Sequence, residues 1–233
     1  MNKEILPLPD KNGIIKALPV KLSKENIKRI NKFGAFMFLY DFAQDRFVRP
    51  RIHKADTKKH HEILKNLISS VKNSRVFDIA CGTGGAITYF DSSNEYTGLD
   101  LSYAMLKQAV KKAKKKSFQK FRFIQGNAEK LLFDDESFDF VLIDTALHMI
   151  PEYHMAIAEI SRVLIKGGIF ICSTPVVGIN KEFDFTWKKI SDKRDLHSFN
   201  EADIQDVCSC NGLIYNRFNT NGSVLYFRAQ KKE

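Results

Sequence analysis

The chain is 233 residues long, enough for one medium domain with an added lid and a sizeable core. Its 44% hydrophobic and 12% aromatic content excludes an intrinsically disordered protein, and no apolar run approaches the length of a membrane span. The net charge of +10, mostly lysine, suits either an anionic partner or a lysine-rich solvent face, and a nucleic-acid surface is not favoured.

Residues 1–32 carry Pro7, Pro9, Gly13 and Pro19 and read as an irregular arm, followed by a short amphipathic helix capped by Ser23. Met1–Pro9 lacks a signal-peptide core, so a cytoplasmic location is expected. Phe33–Val48 is dense in aromatics (Phe33, Phe36, Phe38, Tyr40, Phe42, Phe47), and Pro50 is expected to break it. A helix is predicted from about Ala55 to Val71, with Ile63, Leu64, Leu67, Ile68 and Val71 on one face.

From there strands and helices alternate. Strand Arg75–Ile79 leads through a glycine turn into a helix reaching Phe90; strand Tyr96–Leu99 precedes helix Ser102–Lys116; strands Phe121–Gln125 and Phe138–Ile143 follow. Helix Pro151–Leu164 starts on a proline, Lys166-Gly167-Gly168 is a turn, and Ile169–Ser173 is an apolar strand. An irregular insertion runs over about 175–198, then helix Asn200–Cys210 and two strands, Leu213–Phe218 and Ser223–Ala229, joined by a turn at Asn221-Gly222. This order predicts an α/β, Rossmann-like, doubly wound sheet of seven mostly parallel strands, with a C-terminal antiparallel hairpin and an N-terminal helical lid. The lysines of Lys111–Lys116 fall on the solvent side of their helix and at its negative end. Cys81, Cys172, Cys208 and Cys210 lack zinc spacing and read as reduced structural thiols, and no metal site is expected.

Four pieces that carry chemistry follow successive strands. Asp78 leads into the loop Ala80-Cys81-Gly82-Thr83-Gly84, whose glycines let backbone approach a ligand. Asp100 ends the next strand, where an acid accepts from both ribose hydroxyls. Asn127 and Ala128 follow the third strand, with an amide suited to an adenine edge. Asp144 and Thr145 open the loop Asp144–His148 after the fourth, at the crevice where strand order should reverse.

With these in order, the runs VFDIACGTGGA, YTGLDLS, GNAEKLLFDDESFDFVLIDTALHMIPE and EISRVLIKGGIFICSTP resemble the class I S-adenosylmethionine (SAM) dependent methyltransferases. The branch resembled is the small-molecule and quinone type that includes the ubiquinone/menaquinone C-methyltransferases. The resemblance covers about Arg75–Pro175. It implies that Asp78 orders the loop, that Gly82 and Gly84 approach the methionine part of SAM, and that Asp100 holds the ribose. It further implies that Leu101 and Met105 flank the adenine, that Asn127 and Ala128 contact its edge, and that Asp144 and Thr145 lie beside the sulfonium. Two positions depart from the pattern: Ala80 stands where many members have glycine, and Asn127 replaces the usual acid. By the same resemblance, residues 1–54 form an arm and lid, and 55–233 the methyltransferase domain.

The expected activity is methyl transfer from SAM to a small-molecule or lipidic acceptor, leaving S-adenosylhomocysteine. An RNA or tRNA methyltransferase and a non-catalytic SAM-binding regulator are the alternatives. His148 is the candidate base, weighed against packing or capping, because it sits four residues past Asp144 in the loop after the central strand, near where the methyl should lie. Tyr40 and Phe42 are the candidate lid residues, closing an aromatic face over the sulfonium. The same segment, flanked by Lys28, Arg29, Lys32, Arg46, Arg49 and Arg51, also admits packing on the sheet or peripheral membrane contact. Phe183 and Trp187 are candidates for an acceptor-pocket wall. His60, His61 and His154 are read as inert surface residues, and His197 as a helix-entry residue, with a place in the acceptor-pocket wall as its alternative.

Overall fold

The computed structural model describes residues 6–19, 22–34 and 39–233. Phe36 and Phe38 lie outside these, and Phe33 is described by its backbone only. The core is one sheet of β1 (Ile14–Lys16), β2 (Arg75–Ile79), β3 (Glu95–Asp100), β4 (Lys120–Gln125), β5 (Phe138–Asp144), β6 (Leu164–Pro175), β7 (Leu213–Asn221) and β8 (Val224–Lys231). Their order is β1-β4-β3-β2-β5-β6-β8-β7. Pairing is parallel from β1 to β6, while β8 joins both β6 and β7 antiparallel. Strand order reverses at β2, which pairs with both β3 and β5, so a crevice opens at their carboxyl ends.

Alternation within each strand builds a core on either face. Phe77 and Ile79 of β2, with Val141 and Ile143 of β5, pack with α5 (Tyr153–Val163) and α7 (Glu201–Cys210). Val76, Phe140 and Leu142 face the other side, where α3 (Thr57–Ile68) supplies Ile63, Leu64 and Ile68, and α4 (Tyr103–Lys115) supplies Leu106, Ala109 and Val110. Fully burying each of the larger of these side chains (Val, Leu, Ile or Phe) contributes roughly 1.5–3 kcal/mol. Asp56 and Ser102 start α3 and α4 by accepting from the backbone N–H of Lys59 and Met105.

Several expectations are corrected. The sheet has eight strands, because β1 forms inside the predicted irregular arm and adds to the edge of β4. The helix expected after the glycine turn shrinks to a 3₁₀ turn, Ala86–Thr88. Pro151 precedes α5, whose N-cap is Glu152. Lys166–Gly168 lies within β6, opposite an irregularity in its pairing with β5. The insertion holds α6 (Lys181–Arg194), capped by Asn180, whose Oδ1 accepts from Phe183 N–H. The hairpin reverses at Gly222-Ser223, since Asn221 still pairs with Val224. Pro50 does not break the aromatic stretch: α2 (Tyr40–Ala43) continues into a π-helical stretch, Gln44–Ile52, that contains it. α1 (Lys24–Gly34) is the expected helix, with Ser23 Oγ accepting from Asn26 N–H.

Candidate active site

The glycine loop is the pivot of the site. Ala80, Gly82 and Gly84 all have positive φ, at 54°, 54° and 74°, so the chain turns sharply off β2. Gly82 N–H donates to Asp100 Oδ2 at 2.9 Å, and Ser102 N–H donates to Oδ1 at 2.7 Å, fixing the carboxylate at the end of β3. A Cβ on Gly82 would sit 3.7 Å from Met105 Sδ and 3.9 Å from the Tyr40 ring, so the loop runs between these two side chains. Gly84 serves packing: a Cβ there would meet Ala109 of α4 at 3.0 Å.

Two cavities meet over this loop. The first, about 740 Å³, is lined by Asp100, Leu101, Met105, Gly126, Asn127 and Ala128, with Asn26 and Ile30 from α1 and Met149 and Ile150 after β5. The second, about 910 Å³, is polar; it takes in Asp78, Cys81, Thr83, Thr145, Tyr89 and Lys112, and Gln44, Asp45 and Arg49 from the π-helical stretch. Tyr40, Ala80, Gly82 and Asp144 line both. Of the thirteen expected donor-site residues Gly84 alone lines neither cavity.

The electrostatics follow from burial. Tyr96 hydroxyl donates to buried Asp78, and burial together with Asp144 and Asp100 pushes the Asp78 carboxyl up to about 8. Burial also raises the Asp100 carboxyl. Asp144 goes the other way: burial opposes its charge, yet His60, Arg49 and the Ser173 hydroxyl, 2.6 Å from Oδ1, hold it below the usual range. Burial, then Asp100 and Asp144, raises the Tyr40 phenol to about 12, so Tyr40 is a neutral ring at the junction. Asn127 donates through Nδ2 to Glu129 Oε2 at 2.8 Å, a bond that an acid at this position would replace with repulsion.

Sequence reasoning missed His60. It is buried, its Nδ1 lies 2.7 Å from the Tyr226 hydroxyl, and its Nε2 stands 3.6 Å from Asp144 Oδ1, correcting its assignment to the surface. The signal was present, for His60 precedes Leu64 and Ile68 at four-residue spacing on the apolar stripe of α3. His61 is also at the site, 3.4 Å from Asp45 through Nε2. Glu129 was missed too; it joins Asn26 of α1, Asn127 and the Glu152 backbone. His148 is buried beside His53 and Trp187, at ring separations of 6.0 and 5.6 Å, and lines neither cavity. Phe183 stacks on Trp187 in the same cluster. His197 lies in the loop before α7, its ring near the Ile150 and Pro151 carbonyls. Among the described residues no His, Cys, Asp and Glu group is arranged to hold a metal ion, and no helix is long and apolar enough to cross a membrane.

The profile of a methyltransferase-domain family matches residues 77–172, the segment from the middle of β2 into β6 that builds these strand ends. Over that segment the chain carries a methyltransferase domain. It is 30% identical over 174 residues to a demethylmenaquinone methyltransferase of Staphylococcus aureus, a match covering 70% of this chain and 66% of that protein, just under two thirds of the relative's length. The methyltransferase fold is shared with the YcgJ protein of Bacillus subtilis (TM-score 0.63, 20% identity, 76% of this chain and 99% of that one). It is also shared with phosphoethanolamine N-methyltransferase 2 of Haemonchus contortus (TM-score 0.71, 18% identity, 93% and 62%), solved with S-adenosylhomocysteine.

Proposed function

We propose that this methyltransferase moves a methyl group from SAM to a small-molecule or lipidic acceptor. The observation that carries the reading is the meeting of an apolar and a polar cavity at Tyr40, Gly82 and Asp144. An adenosine with an amino-acid tail needs both environments, joined at one point. In the apolar part Asp100 would hold the ribose, Leu101 and Met105 the adenine faces, and Asn127 and Ala128 its edge. In the polar part Gln44 Oε1 and Arg49 Nε are buried without a hydrogen-bond partner, an acceptor and a donor that suit an ammonium and a carboxylate. Asp78, Cys81, Thr83 and Thr145 complete that end. Bound SAM supplies an activated methyl group on a sulfonium. The chain's part is to align the acceptor with it and exclude water. Asp144, kept charged by His60 and Ser173, and the neutral Tyr40 face would favour the cation. His148, packed on Trp187, would back the acceptor side. The likeness to a demethylmenaquinone methyltransferase supports an aromatic, lipid-soluble acceptor.

Calorimetry tests the donor site. Wild type should bind SAM and S-adenosylhomocysteine, and Asp100→Ala should weaken S-adenosylhomocysteine at least about tenfold, the loss of two charge-assisted hydrogen bonds to ribose. Failure of wild type to bind either compound would sink the reading.

A further inference from the structure

The lid that brings Tyr40 and Asp41 to the glycine loop has an outer face with no role in the site. Neither α2 nor the π-helical stretch contains a fully buried side chain, so this short helical strap lacks the apolar burial that normally secures one. Three large apolar side chains at or within it point outward: Leu39, Phe42 and Phe47 are 59%, 58% and 44% exposed. In an i→i+5 helix residues four or five apart share a side. Phe42, Arg46, Phe47 and Arg51 have that spacing. The side is real in three dimensions, for Phe42 meets Phe47 edge-on at 6.2 Å and the Arg51 guanidinium lies 5.1 Å over the Phe47 ring. Arg46 and Arg51 are both exposed. Phe185 of α6, a helix that packs against the π-helical stretch, is 88% exposed as well.

Water alone gives no reason to gather exposed rings on one helix face. A lipid surface does: rings enter the boundary between headgroups and acyl chains while guanidinium groups meet lipid phosphates. We propose that the outer face of the lid, Leu39, Phe42, Arg46, Phe47 and Arg51, docks on an anionic lipid bilayer. The net charge of +10 attracts the chain to such a surface, and the two arginines set the orientation in which the rings insert. Because the inner side of the same strap carries Tyr40 and Asp41, docking holds the lid at the membrane while its inner face meets the site.

Sedimentation with vesicles tests this without methyl donor or acceptor, so its outcome is independent of the proposed activity. The protein should bind phosphatidylglycerol vesicles, bind phosphatidylcholine vesicles far more weakly, and lose binding as salt rises. Phe42→Ser/Phe47→Ser should weaken phosphatidylglycerol binding about tenfold or more with the thermal melt unchanged. Arg46→Gln/Arg51→Gln should weaken it and flatten the salt dependence. Undiminished binding by the phenylalanine variant would show that lysines elsewhere hold the lipid, and would overturn the proposal. So would dimerisation through this face, or tRNA binding, in place of vesicle binding.

Discussion

Ala80 holds a backbone conformation that its own side chain opposes. At φ 54° an L-residue crowds its Cβ against the neighbouring carbonyl, at about 1–2 kcal/mol. The loop demands this turn because Cys81 N–H must reach the Leu99 carbonyl, 3.0 Å away, and Gly82 N–H must reach Asp100. Glycine would relieve the strain but enlarge the unfolded ensemble, a loss of about 0.5–1 kcal/mol. The first effect is the larger, so Ala80→Gly should gain about 0.5 kcal/mol in urea unfolding and leave S-adenosylhomocysteine affinity unchanged. A net loss of stability would mean that the Ala80 methyl, packed against the core with Phe77 and Ile79, outweighs its strain. Thr145 is strained the same way, at φ 53°, but its hydroxyl donates to Asp144 Oδ1 at 2.9 Å, so glycine there would keep the backbone bond to Ser173 and lose the contact to Asp144.

At the scale of elements, the lid is tied to the sheet at its two ends. Asp41 accepts from Thr83 Oγ1 and Lys112 Nζ, each at 2.6 Å, which fastens α2 to the glycine loop and α4. Ser223 of the C-terminal turn donates through N–H and Oγ to the His53 carbonyl at 2.9 and 2.7 Å, fastening the other end. The Asp41–Lys112 pair is partly exposed, so its loss is worth under about 1 kcal/mol. Asp41→Ala should therefore leave global stability nearly unchanged but speed tryptic cleavage at Arg46 and Arg51 about two- to fivefold, and Lys112→Ala should add little to it. An unchanged cleavage rate would show that the lid is held by its packing alone.

The same elements explain what could be read in advance. β2 to β6 and α3 to α5 were legible because apolar periods of two and near four recur over whole segments, and Asp56 and Ser102 mark helix starts. β1 was not, because three residues carry no period and gain their stability from the edge of β4. α6 buries only Phe183, Trp187 and Ser191, a stripe one residue wide, though Asn180 with Glu182 and Asp184 did signal a helix start. The π-helical stretch obeys no 3.6-residue period, so its inward Gln44 and Arg49 could not be assigned to the site. The proposed donor residues stand in strand-end motifs; the residues of α2, the π-helical stretch and α3 that line the same cavities are brought there by long-range packing.

Over the whole molecule, charge is divided between surface and crevice. A chain of net charge +10 gathers Asp78, Asp100 and Asp144 at adjoining strand ends, so a cationic exterior encloses an acidic centre. That centre makes folding stability depend on pH. Asp78 titrates near 3.8 when unfolded and is pushed up to about 8 in the fold, by burial first and then by Asp144 and Asp100. Below pH 4 both states hold the proton, and Asp78 adds no pH dependence. Between about 4 and 8 the unfolded chain has released it while the folded chain keeps it, so stability falls as pH rises, by at most about 1.4 kcal/mol per unit. Above 8 both states are ionised and the dependence ends. Asp78→Asn removes this titration while retaining an acceptor for the Tyr96 hydroxyl. Thermal melts of wild type and variant at pH 5 and pH 8 should therefore diverge, with the variant gaining relative to wild type at the higher pH. An equal gap at both values would mean that Asp78 is already ionised in the folded protein. Its carboxylate would then be charged at neutral pH before any ligand ammonium arrives.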